Sequence, residues 1–163
     1  MIASPLTELA HRVIDTLAAR HQMIATAESC TGGLIAATLT EIAGSSAAVY
    51  GGFVTYANRA KIELIGVEEE LIERWGAVSE SVARAMAEGA RETAEVDVAV
   101  AVTGIAGPGG GSADKPVGLV YLACATATGT RVIERRFGDI GRQGVREATV
   151  QAALDLVLES LEG

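Results

Sequence analysis

Leu6, Leu9, Ala10, Val13, Ile14 and Leu17 recur at intervals of three and four, which predicts a helix over residues 5–20 with one apolar stripe facing a core. Ser4 is placed to cap it and Pro5 to open it. Residues 23–28 are a short apolar run that breaks at Ser29-Cys30-Thr31-Gly32-Gly33 and resumes as LIAATLTEIA, which reads as strand, tight turn and helix. Residues 49–56 read as a strand interrupted by Gly51 and Gly52, a pair that points to a bulge or to close approach of another part of the chain. Short helices are expected over 58–65 and 68–75. A longer one is expected from Val78 and Ser79 to about Thr93, with Val82, Met86 and Ala90 along one side and Ser79 as its cap.

In VDVAVAVT, residues 96–103, Val96, Val98, Val100 and Val102 face one way and Ala99, Ala101 and Thr103 the other, so the small face admits a helix closely. Residues 104–116 follow as a loop with five glycines and two prolines, longer than a turn requires. Residues 118–126 and 130–137 predict a hairpin about Thr128-Gly129, and a last helix runs from about Gly144 to Leu161. Helices alternating with strands and closing on a hairpin define an α/β class, a mixed and mostly parallel sheet covered by helices on both faces. Ligands of open α/β sheets bind beyond the carboxyl ends of parallel strands. If the strands that end at Ser29 and Thr103 are parallel, both residues and both glycine-rich turns meet on one rim.

A length of 163 residues without repeat or linker is read as one domain, residues 1–163, and 49% apolar composition excludes intrinsic disorder. Thirteen Lys and Arg against 21 Asp and Glu leave a net charge of −8, which opposes nucleic acid as partner and leaves room for a small phosphorylated molecule held locally. Cys30 and Cys124 are too few for a disulfide framework and fit a reducing cytoplasm. The amino terminus has no basic run ahead of an apolar core, and no apolar run reaches the 18 residues a membrane span needs, so neither a leader nor a membrane role is expected. Neither HExxH nor CxxC occurs, and no metal site is expected.

Ser29 stands at a helix start, where unpaired N–H groups favour a developing anion; Ser29 or Thr31 can equally be a plain cap. Cys30 is a second candidate nucleophile beside it, with nothing to indicate a lowered pKa. The only histidines, His11 and His21, lie on the first helix and just after it, which disfavours a Ser-His-Asp triad. A lysine can serve as base where burial lowers its pKa from about 10.4. Two are available: Lys61, just after a strand and near the Tyr56 phenol, and Lys115 on the glycine loop. That loop has the glycine density for amides to wrap a phosphate or oxyanion, yet lacks the Gly-Lys-Ser/Thr ending of a P-loop and the helix of a dinucleotide fingerprint. Arg135, Arg136, Arg142 and Arg146 are candidates for holding a phosphate.

Taken together, AESCTGG at 27–33, GGFVTYANRAKIELIGV at 51–67, AVSE at 77–80, VTGIAGPGGG at 102–111 and KPVG at 115–118 resemble the CinA carboxyl-terminal domain family across nearly the whole chain. The resemblance implies a three-layer α/β/α sandwich and hydrolysis of the carboxamide of nicotinamide mononucleotide, giving nicotinic acid mononucleotide and ammonia in pyridine nucleotide salvage, without cofactor or metal. It implies Ser29 as nucleophile, Lys61 as base, and Tyr56 and Thr103 as groups that relay protons or orient the lysine. Backbone amides at Cys30, Thr31, Gly32 and Gly33 are to hold the oxyanion. Asn58 and the loop with Gly104, Gly107 and Gly110 are to touch the nucleotide, with Arg142 on its phosphate. A homo-oligomer in the cytoplasm is also implied. Three departures stand out: the larger amino-terminal domain that many relatives carry is not expected here, and with it any activity of that part; FGDIGRQGVRE from Phe137 is longer than the family's compact Gly-Asp-Arg pattern; and Ala57 stands where a serine is common. The alternatives are a non-catalytic nucleotide sensor or protein-interaction module, and an amidase for another small nucleotide amide.

Overall fold

A computed structural model describes residues 4–162; the remaining four residues of the expected 1–163 domain lie outside the described residues. The chain runs α1 (Pro5–Ala19), β1 (Ile24–Glu28), α2 (Leu34–Thr40), a single 3-10 turn, β2 (Val49–Val54), α3 (Asn58–Ile65), α4 (Glu69–Trp75), α5 (Glu80–Ala94), β3 (Val98–Gly104), β4 (Leu119–Thr126), β5 (Gly129–Arg136) and α6 (Arg142–Glu162). The predicted caps form: the Ser4 side chain accepts from the Thr7 amide, and the Ser79 side chain from that of Val82. Among the described residues no helix is long and apolar enough to cross a membrane.

The five strands form one sheet in the order β2-β1-β3-β4-β5. β1 is parallel to both its neighbours, while β4 is antiparallel to β3 and β5, so four strands run one way and β4 alone is reversed. One face carries Ile24, Val98, Val100, Val102, Val120 and Leu122 under α1, α2 and α6. The other carries Ala27, Ala99, Ala101, Ala123 and Ala125 under α5, with Ile65 of α3 and Leu71 and Ile72 of α4 at its flank. The valine/alanine alternation thus assigns each face its layer, methyl-sized residues letting α5 lie close. Val96 departs from the expected stripe: it packs in a separate small cluster, because Asp97 is spent on the β1 entrance, its carboxylate accepting from the Met23 amide at 2.9 Å. The last helix starts at Arg142, ahead of the expected Gly144.

Both glycine signals have physical causes. The β1–β2 register slips between Ile24 and Ala25, placing a bulge beside Gly51. At Gly52 a Cβ would fall 2.3 Å from the Thr26 hydroxyl. Deeper in the fold, a Cβ on Gly89 of α5 would fall 1.9 Å from the Ile65 carbonyl oxygen, so this glycine sets how closely the carboxyl end of α3 seats on α5. Gly89→Ala adds about 1 kcal/mol of helix propensity but forces a backbone contact that cannot rotate away, an overpacking cost of about 3 kcal/mol. Thermal unfolding is expected to show Tm lowered by several degrees; a Tm equal to or above that of the parent protein would show that α3 is free to move.

Candidate active site

Glu28 ends β1 beside Val102 of β3, and the Ser29 amide donates to the Val102 carbonyl at 3.1 Å. Parallel pairing therefore sets Ser29 and Thr103 side by side on the rim, as the strand reading required. The chain then turns sharply. Gly32 and Gly33 take φ of 58° and 107°, the left-handed region that favours glycine, and Gly33 gives α2 no side-chain cap. The cap comes from Glu28, 1% exposed. One of its oxygens accepts from the Thr31 hydroxyl and the Ile35 amide, both at 2.7 Å; the other accepts from the Thr26 hydroxyl at 3.1 Å and the Ala36 amide at 3.0 Å.

Lys61 sits one turn into α3 and is 1% exposed. Its Nζ lies 3.1 Å from Ser29 Oγ, 2.9 Å from the Thr55 carbonyl oxygen and 3.3 Å from that of Tyr56. Among the described residues no carboxylate forms an ion pair with it. Burial without a counter-charge lowers its pKa, opposed only by the neighbouring Cys30. A neutral amine suits these partners: two N–H bonds reach the two carbonyls, and the lone pair is left facing the Ser29 hydroxyl.

A cavity of about 260 Å³ opens here, lined by Ser29, Cys30, Tyr56, Asn58, Lys61, Thr103, Gly104, Gly107, Gly110 and Arg142, joined by Ala77, Val78, Ile105, Ala106 and Gly109. Three expected contacts are absent from it. Thr31 is fully buried with its hydroxyl on Glu28, Gly32 lies against Arg146 of α6 and Gly33 against Val54, and the Arg146 guanidinium donates to the carbonyls of Cys30 and Thr31 at 3.2 and 2.9 Å. The Gly32 amide is likewise taken, by the Ser29 carbonyl, and the first turn of α2 by Glu28. Among the described residues the amides of Cys30 and Thr31 donate to no main-chain carbonyl. A trans peptide points its N–H opposite its C=O, so fixing the Ser29 and Cys30 carbonyls also fixes those two N–H directions.

Tyr56 and Thr103, expected to relay protons or orient the lysine, do not meet Lys61 through their side chains. Tyr56 reaches Lys61 through its main-chain carbonyl, while its side chain, in a residue 61% exposed, accepts from Arg142 at 3.2 Å. The Thr103 hydroxyl donates to the Ala77 carbonyl at 2.9 Å, tying the rim to the start of α5. Arg142 also donates to the Gly107 carbonyl at 2.8 Å, spanning the cavity mouth. Arg135 and Arg136 bond to Glu134 on β5, and Lys115 to the Trp75 carbonyl, all outside this cavity. Burial, helped by the charge of Glu28, pushes the Cys30 thiol up to about 12, so it carries no thiolate at neutral pH. A larger groove of about 760 Å³, bordered by Glu68, Glu88 and Glu92, holds none of these candidates.

Sequence reasoning gave Glu28 no role and did not place Ala77 and Val78 at the site. The signal for Glu28 was present: a carboxylate closing an otherwise apolar strand, ahead of a helix whose capping position is glycine.

This layering and sheet order define a three-layer α/β/α sandwich with a mixed, mostly parallel sheet. The chain superposes on the competence/damage inducible protein CihA from Agrobacterium tumefaciens with a TM-score of 0.96 and 52% identity, covering 100% of this chain and 99% of that one. A CinA superfamily protein from Klebsiella pneumoniae follows with a TM-score of 0.92 and 34% identity, covering 98% of this chain and 99% of that one. The CinA C-terminal domain family model matches residues 6–161, and the chain belongs to that family. It is 49% identical over 154 residues to the nicotinamide-nucleotide amidohydrolase PncC of Escherichia coli K12, covering 94% of this chain and 93% of PncC. It is 53% identical over 150 residues to a CinA-like protein of Synechococcus, covering 91% of this chain but 36% of that protein. The chain thus spans about a third of the length of such CinA-like relatives.

With Cys30 raised to about 12 and Cys124 to about 11, both by burial, neither thiol should react with iodoacetamide at neutral pH in the native protein, and both should react after denaturation. Fast native alkylation of Cys30 would return it to the list of nucleophiles.

Proposed function

We propose that this protein is a nicotinamide-nucleotide amidohydrolase that cleaves a carboxamide with Ser29 as nucleophile and Lys61 as general base. The observation that carries the reading is the 3.1 Å contact of the Ser29 hydroxyl with the buried Lys61 amine, which has no counter-ion among the described residues and whose other two partners are main-chain carbonyls. The likeness to PncC over nearly the full length of both chains supports the substrate class.

In this mechanism the Lys61 lone pair takes the Ser29 proton as Oγ bonds to the carboxamide carbon. The oxyanion that forms is met by the amide of Cys30, which lines the cavity beside Ser29. The Lys61 ammonium returns its proton to the amide nitrogen, the C–N bond breaks and ammonia leaves. A water then attacks the Ser29 ester, giving its proton to Lys61, which passes it back to Oγ as the acid is released. Tyr56 and Thr55 hold the amine by their carbonyls, and Thr103 fixes the adjoining rim. Asn58 and the amides of the loop from Gly104 to Gly110 contact the nucleotide, with Arg142 at the mouth meeting its phosphate.

Purified protein incubated with nicotinamide mononucleotide is expected to release ammonia and nicotinic acid mononucleotide. Removing the nucleophile (Ser29→Ala) or the base (Lys61→Met) should lower kcat by about a thousand-fold or more, while Cys30→Ala stays within about five-fold of the parent. The base acts unprotonated and burial lowers its pKa, so kcat/KM should rise with pH and level off below the ordinary lysine value of about 10.4. Full activity in Ser29→Ala, or a rising limb set at the ordinary lysine value, would refute the assignment.

A further inference from the structure

The turn that carries Ser29 has little of its own to hold it. Gly32 and Gly33 occupy left-handed conformations and bring no side chains, and such a segment samples many conformations unless its surroundings over-determine it. Two groups grip it from opposite sides. Arg146 holds the carbonyls of Cys30 and Thr31, and Glu28 holds the Thr31 hydroxyl together with the second and third amides of α2. All four bonds to the Glu28 carboxylate come from neutral donors, and among the described residues no cation pairs with it. A buried carboxylate is a costly way to fill space, since apolar residues of similar volume usually stabilise as well or better. What it supplies is direction: each oxygen receives two donors, one from a hydroxyl and one from a helix amide.

The main chain of the same residue reaches the other half of the site. The Glu28 carbonyl accepts from the Thr55 amide at 2.8 Å, and the Thr55 carbonyl accepts from Lys61 at 2.9 Å. Glu28 is therefore linked to the hydroxyl-bearing turn through its side chain and to the amine through its backbone. We propose that Glu28 is a positioning residue, whose carboxylate, acting through the Thr31 hydroxyl and the start of α2, fixes the turn so that Ser29 Oγ stands on the Lys61 amine. The proposal rests on the Ser29–Lys61 reading. Glu28 lies beneath the turn, outside the cavity lining, and acts through its neighbours without touching substrate.

The experiment compares Thr31→Val, Thr31→Ser and Glu28→Gln with the parent protein and with Ser29→Ala. The readouts are turnover of nicotinamide mononucleotide and the rate at which a small fluorophosphonate phosphonylates Ser29. In that labelling the Oγ–P bond forms as fluoride and the hydroxyl proton leave. Thr31→Val deletes the one hydroxyl that joins the turn to the carboxylate and leaves the α2 cap in place. It should lower both kcat and the labelling rate by about ten- to a hundred-fold, with KM within about three-fold of the parent and the pH profile unchanged in shape. Thr31→Ser keeps the hydroxyl and should restore both rates to within about three-fold. Glu28→Gln should lose at least as much as Thr31→Val; if it fails to fold, the two Thr31 variants decide. Parent-like kcat in Thr31→Val, a loss confined to KM, or a loss that serine does not restore overturns the positioning role. If Ser29→Ala itself turns over substrate like the parent, the underlying reading fails; a dead Ser29→Ala beside a fully active Thr31→Val removes only the role of Glu28.

Discussion

An amine buried without an acid beside it is the constraint on which this site turns. Charged Lys61 would have its three hydrogens on one hydroxyl and two carbonyls, with no formal negative charge to offset its desolvation. Neutral Lys61 satisfies the same three partners and directs a lone pair at Ser29. Burial lowers the pKa of this lysine and so favours the neutral form, in which the group accepts a proton.

The fold can be read as the means of placing that amine. Parallel pairing of β1 and β3 brings two rim residues into register, Glu28 opposite Val102, so Ser29 follows directly beside Thr103. The alanine face lets α5 close on the sheet, and Gly89 lets the end of α3 lie against α5, which seats Lys61 beneath the rim. The Tyr56 and Thr55 carbonyls leave the end of β2 where α3 begins, at an Ala57 that offers α3 no side-chain cap. A cap missing at the start of α3 and a glycine cap at the start of α2 are met differently, since the second is replaced by the buried carboxylate of Glu28.

Much of this was legible from residue order because each signal was local. The alternation from Val98 to Thr103 gave both the strand and its two layers, and the caps at Ser4 and Ser79 followed from side-chain chemistry within three residues. Ser29 on a strand-to-helix turn was readable in the same way. What local pattern lacked was direction. Nothing in Tyr56 as a residue type says that its carbonyl meets Lys61 while its side chain bonds Arg142. Nor does AESCTGG say that the carbonyls of Cys30 and Thr31 are held by α6, since Arg146 lies 115 positions beyond Thr31. Glu28 was overlooked for a related reason: an acidic residue ending an apolar strand reads as a solvated strand end until the helix start it faces is in place.

Lys61 and Lys115 are the only lysines, so selective ¹⁵N labelling gives two resolvable side-chain signals. The most direct measurement follows the Lys61 Nζ resonance through a pH titration, with the Lys61→Met spectrum for assignment. Loss of the Lys61 proton well below the ordinary lysine value of about 10.4, with the signal displaced in Ser29→Ala, is the predicted result. An ammonium that persists to the ordinary lysine value and is indifferent to Ser29 would contradict the account.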